Sequence, residues 1–91
     1  MLSRRTMRKA NKMCTNITGI ARRTLKARTA KGARKSVRAL NRYGKSFQLT
    51  YLKRVLLKGR KQPGVRRRIP AYTRAINRTC KKAAIKYLLS T

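Results

Sequence analysis

The stretch Ile69-Pro70-Ala71-Tyr72-Thr73-Arg74-Ala75-Ile76-Asn77-Arg78-Thr79-Cys80-Lys81-Lys82-Ala83-Ala84-Ile85-Lys86-Tyr87-Leu88-Leu89 decides the fold class. Ile69, Tyr72, Ile76, Cys80, Ala83 and Tyr87 recur at spacings of three and four, which is the apolar seam of an α-helix. Ala84 and Leu88 widen it. Arg74, Arg78, Lys81 and Lys82 fall at i, i+4, i+7 and i+8 on another face. Like charges at i and i+4 repel. A helix that stacks cations with no carboxylate between them is built for an anionic surface. Pro70 suits a first helical position, where its missing N–H is not needed, so the helix is expected over 70–89.

Upstream of that helix, Gly59 and Pro63-Gly64 bracket a loop expected to run from Gly59 to Arg68. Before it, Leu52, Val55 and Leu56 repeat at i, i+3 and i+4 and predict a helix from Phe47 to Lys58. Ser46 is its expected cap and Gly59 its stop. Gly44 closes the first half of the chain. In that half Ser3 is placed to cap a short basic helix from Arg4 to about Met13. Asn16 or Thr18 is placed to cap a second, along which Ile17, Ile20, Ala21 and Leu25 share a face. Ala30, Ala33, Val37 and Leu40 continue at helical spacing after a slip of one residue, with a kink or break expected at Thr29–Gly32. Gly32 weakens a helix by about 1 kcal/mol relative to alanine.

The composition says what such helices face. The chain has 91 residues, 28 Lys and Arg, and no Asp, Glu or His, a formal charge of +28. Self-repulsion of that size opposes compactness. The counter-charge must come from outside, and nucleic acid is the dense polyanion that supplies it. Yet 41% of the residues are hydrophobic, more than a pure charge tail needs. The reading is a chain that folds, and folds fully only on its partner.

The same absences exclude most chemistry. Without Asp, Glu or His the usual general bases are missing, so no catalytic role is expected. No small-molecule substrate or cofactor is implied, and Gly32-Ala33-Arg34-Lys35-Ser36 lacks the second glycine of a phosphate loop. Cys14 and Cys80 cannot supply four zinc ligands; they read as two small buried thiols, with no metal expected. No stretch approaches the roughly 18 apolar residues of a membrane span, so no membrane partner is expected. The start, Met1-Leu2-Ser3-Arg4-Arg5-Thr6-Met7-Arg8, has the Arg-rich, acid-free character of a mitochondrial targeting segment, expected to be kept rather than cleaved. An acid-free, Arg-rich chain has such a start in any case.

The positive signal lies in basic clusters on every predicted element. Candidate RNA contacts are Arg22, Arg23, Arg34, Lys35, Lys53, Arg54, Arg60, Lys61, Arg66, Arg67, Arg68, Arg74, Arg78, Lys81 and Lys82. Arginine's planar fork grips phosphates and stacks on bases. Tyr43, between Arg42 and Gly44, is a stacking candidate for an unpaired base. Ile69, Tyr72, Ile76, Cys80, Ala83, Ala84 and Leu88 form the candidate apolar packing face. DNA readers usually present one helix from a mixed-charge scaffold. A chain basic on all sides suits a peptide threaded among folded RNA helices, as in a ribosome.

The stretch from Tyr51 to Leu89 also resembles the bacterial-type small-subunit ribosomal protein S-eighteen family. The resemblance rests on Leu52-Lys53-Arg54-Val55, Gly59-Arg60-Lys61, Arg67-Arg68-Ile69, Arg74-Ala75-Ile76, Cys80-Lys81-Lys82-Ala83 and Leu88-Leu89. The chain departs from the family at Thr73, Ala84 and Ser90-Thr91. The resemblance implies a helical protein on the central domain of small-subunit RNA, beside an S-six-like protein. With the presequence-like start it points to a mitochondrial ribosome.

The expected architecture is all-α. Short basic helices surround a small core, and an N-terminal segment extends to thread RNA. A basic helical N-terminal extension spans 1–45 and an RNA-binding domain 46–91. The expected function is a structural constituent of the ribosome that binds ribosomal RNA and neighbouring ribosomal proteins. The alternatives are another organellar ribosomal protein, of the large subunit or an S-twenty-like helical bundle, and a DNA-compacting histone-like protein. The seam favours the ribosomal class, because compacting tails need no packing face. A membrane-active peptide would need one broad apolar face instead of charge around every helix.

Overall fold

The computed structural model describes residues 3–43 and 49–90, which are helical with short connections. In chain order they form α1 (Arg4–Lys26), α2 (Ala30–Arg38), a 3-10 turn (Ala39–Tyr43), α3 (Leu49–Gly59) and α4 (Val65–Ser90). The all-α expectation holds. The molecule is elongated, 43 × 23 × 16 Å, about the length of its longest helix at 1.5 Å per residue.

α1 starts where the sequence places it. The Thr6 N–H donates to Ser3 Oγ at 3.2 Å, satisfying one of the free donors of the first turn. It does not stop at Met13. Asn16 and Thr18 lie inside one continuous helix. The reason is a single stripe: Ala10, Cys14, Ile17, Ala21 and Leu25 fall three or four apart and are all buried. Ala10 and Cys14 carry the apolar phase through the basic N-terminal turns, so a second cap has nothing to begin. The break falls at Ala27–Thr29. Thr29 then caps α2, its Oγ1 accepting from the Gly32 N–H at 3.0 Å. A Cβ on residue 32 would meet that oxygen at 3.1 Å, so glycine keeps the cap uncrowded.

α4 begins five residues before Pro70. Gly64 turns the chain at φ +72°, a conformation glycine adopts without penalty, and Val65 opens the helix. Arg66, Arg67 and Arg68 are therefore helical, and the loop is shorter than the sequence suggests. Pro70 sits in the helix interior, where its ring nitrogen leaves the Arg66 carbonyl without its usual donor. The buried threonine nearby bonds locally: Thr73 Oγ1 donates to the Ile69 and Pro70 carbonyls at 2.9 and 3.0 Å.

α1 and α4 run antiparallel along the long axis and are clipped near their middles by a Cys14–Cys80 disulfide, Cα to Cα 5.7 Å. This corrects the reading of two separate thiols. The bond closes 66 residues of sequence, which stabilises a fold by about 4 kcal/mol through the unfolded chain's entropy. α2, the 3-10 turn and α3 pack on α1 and on one another. The core draws Ala10 to Leu40 from the first half and Leu49 to Ala84 from the second, so it is shared across residue 45. Ile17, Leu40 and Leu56 are fully buried, worth about 1.5–3 kcal/mol each.

The seam of α4 is rotated relative to its expected phase. Val65, Ile69, Thr73, Cys80 and Ala84 face the core. Tyr72, Ile76, Ala83 and Leu88 are only half-buried at its edge, and Tyr87 is 38% exposed. Thr73 takes the inward place that hydrophobicity assigned to Tyr72, because its hydroxyl is satisfied by the helix's own carbonyls. The expected cap Ser46, the helix start at Phe47 and the stop at Gly44 lie outside the described residues. No described helix is long and apolar enough to cross a membrane.

Candidate nucleic-acid interface

Where the C-terminal end of α1 meets the N-terminal end of α4, four cations line one cleft. Arg22 and Lys26 come from successive turns of α1. Arg66 and Arg74, two turns apart, come from α4. Ile69, Pro70 and Thr73 form the remaining wall of this space of about 410 Å³. The antiparallel pairing produces the convergence, because it sets the last turn of one helix against the first turns of the other. With no carboxylate in the sequence, nothing in the chain's side chains offsets this charge.

The other sequence candidates divide by environment. Arg23, Arg34, Lys35, Arg54, Lys61, Arg67, Arg68, Arg78, Lys81 and Lys82 are exposed. Arg66, Arg67 and Arg68 do not act as one patch. Successive helical residues point about 100° apart, so they fan around α4 and only Arg66 lines the cleft.

Two candidates are engaged within the fold. Arg60 is half-buried, and its Nη2 donates to the Ala27 carbonyl at 3.3 Å, closing the C-terminal end of α1. Lys53 Nζ donates to Asn41 Oδ1, tying α3 to the 3-10 turn. Tyr43, the stacking candidate, is half-buried and packs against the core.

Lys26 escaped the sequence reading. It stands alone rather than in a doublet, and its signal was its place four residues after Arg22. The exposed N-terminal cations of α1, Arg4, Arg5, Arg8, Lys9 and Lys12, were also missed as surface. They extend the basic face along the full helix. Such a surface can bind phosphates from several sides. Four neutralised phosphates at the cleft give a salt slope of about −3 to −4 in log affinity per log salt.

The described residues form a disulfide-clipped, all-α fold with cations on every α-helix. The chain matches no family model, no curated protein and no solved structure.

Proposed function

We propose that the chain is a structural RNA-binding protein, a constituent of the small ribosomal subunit that neutralises and braces ribosomal RNA, and that it works in a mitochondrial ribosome. It carries out no catalysis on this reading. One observation carries it: Arg22, Lys26, Arg66 and Arg74 converge from two helices while exposed cations cover every other helix with no acid to answer them. A body with exposed cations on every α-helix fits a site walled by phosphates better than a single duplex face. The stretch from Tyr51 to Leu89 that resembles the S-eighteen family supports the small subunit and an S-six-like neighbour.

The Cys14–Cys80 disulfide weighs against a reducing compartment and so keeps a second reading, a DNA-compacting protein of an oxidising setting. Disulfides persist in oxidising settings such as virions and secreted particles, and are rare where thiols are kept reduced. Fractionating tagged full-length chain through a salt gradient separates the two. Co-sedimentation with a ribosomal subunit beyond moderate salt is the expected result. Recovery with nucleoid or packaged DNA instead would replace the first reading with the second.

A further inference from the structure

On the side of the molecule formed by α3 and α4 lies an apolar groove of about 590 Å³. Its floor and walls include Leu52, Val55, Leu56, Tyr72, Ile76 and Ala83. The core does not need all of this surface: Val55 is 40% exposed, and Tyr51 at the rim is 67% exposed. In a small chain whose other faces are crowded with cations, this is a contiguous patch that phosphates cannot satisfy. Burying it against a sugar–phosphate backbone would place charge on hydrocarbon.

We propose that this groove docks an acidic amphipathic helix of a protein partner. The charges on the page select the occupant. Lys58 lines the groove, and the exposed Lys82 on α4, next to the lining residue Ala83, stands at the edge of the groove-facing side at about 100° per residue. A second copy of the chain brings +28 against +28 with no carboxylate to relieve it, so self-association is opposed. A helix with one apolar stripe and acidic flanks meets both features. Its stripe enters between α3 and α4 as a third helix, and its carboxylates meet the flanking cations. The inference goes beyond nucleic-acid binding and does not depend on which nucleic acid the chain holds. The groove is also distinct from the cationic cleft, with which it shares no lining residue.

The test uses the full-length oxidised protein and a labelled synthetic peptide of about 18 residues built from Leu, Glu and Ala, with Leu at i, i+3, i+4 and i+7. The control is a peptide of the same composition in scrambled order, which keeps the charge and removes the stripe. In fluorescence anisotropy the striped peptide is expected to bind at least about tenfold tighter than the scrambled one. Val55→Lys is expected to abolish that preference although it adds attraction for an acidic peptide, while circular dichroism shows the helices retained. Tyr51→Ser, at the exposed rim, is a second variant expected to weaken the striped peptide alone. Equal affinity for both peptides, or a preference untouched by both substitutions, overturns the proposal. So does displacement of the peptide by a structured RNA, which would hand the groove to nucleic acid, or concentration-dependent self-association of the protein that Val55→Lys abolishes. Loss of RNA binding in Arg22→Ala and Arg66→Ala variants with peptide binding intact keeps the two sites separate.

Discussion

Cys14 in α1 and Cys80 in α4 are bonded across the two longest helices, their Cα atoms 5.7 Å apart. The bond acts at the point where opposing terms are closest. Like-charge repulsion pushes the two basic helices apart, and a core of this size is marginal on its own. A covalent clip near both midpoints holds the apolar stripes together without any counter-ion. It also keeps the ends of α1 and α4 in register, and that register assembles the cationic cleft.

Reduction is therefore expected to destabilise the isolated chain by about 4 kcal/mol, a large share of the roughly 5–15 kcal/mol typical of a domain. The oxidised chain should be helical in low-salt buffer. The reduced chain, or the Cys14→Ala variant, should lose helix there and regain it with sulfate or structured RNA. Circular dichroism with and without reductant reads this directly. Identical melting of both forms would show that the clip contributes nothing.

The cleft predicts a graded loss. Arg22→Ala, Arg66→Ala and Arg74→Ala should each make the salt dependence of RNA binding shallower by about 0.7–0.9 units of log K per log salt. Little preference for RNA sequence should be gained or lost. Binding isotherms at four or five salt concentrations measure the slope, and an unchanged slope in the triple variant removes the cleft from the interface.

Arg60 separates a structural cation from a binding one. Its bond to the Ala27 carbonyl is worth about 1 kcal/mol, more if that carbonyl is left buried and unmet. Arg60→Ala should lower the melting temperature and leave the salt slope almost unchanged. Arg67→Ala, exposed on α4, should do the opposite.

Ala84 has no exposed surface and sits where α4 faces α1. Ala84→Leu inserts a branched side chain into that contact and should cost about 1–3 kcal/mol. A denaturant melt that does not move would place α4 further from α1 than the structure has it.

Stability and RNA affinity should be flat between about pH 5 and 7, because the chain has no carboxylate or imidazole side chain to titrate there. Titrating the folded chain by circular dichroism across that window checks it. A transition inside it would need an ionising group the sequence does not contain.

The helical class, the Ser3 cap and the exposed basic character of α4 were legible because each depends on residues close in sequence. A break near there was also legible, but it falls at Ala27–Thr29, ahead of the expected Thr29–Gly32, because Thr29 caps α2 and Gly32 lies inside it. Misreadings came where two local signals competed. Asn16 and Thr18 look like caps, but the Ala10–Cys14–Ile17 stripe carries the helix through them. Pro70 looks like a helix start, but the positive φ of Gly64 lets the helix begin at Val65. Tyr72 looks more apolar than Thr73, but a threonine that bonds its own helix can be buried at little cost.

By itself the sequence determined an all-α chain with no Asp, Glu or His side chain and a formal charge of +28 that no acid in it balances. Those follow from residue counts and short-range periodicity. The tertiary structure alone decided that Cys14 meets Cys80, that Arg22 and Lys26 join Arg66 and Arg74, and that Arg60 is occupied with the Ala27 carbonyl. It also decided that an apolar groove stays open between α3 and α4. These pairings join positions 33 to 66 residues apart. No local pattern encodes them, because they depend on the direction and register in which two amphipathic helices pack.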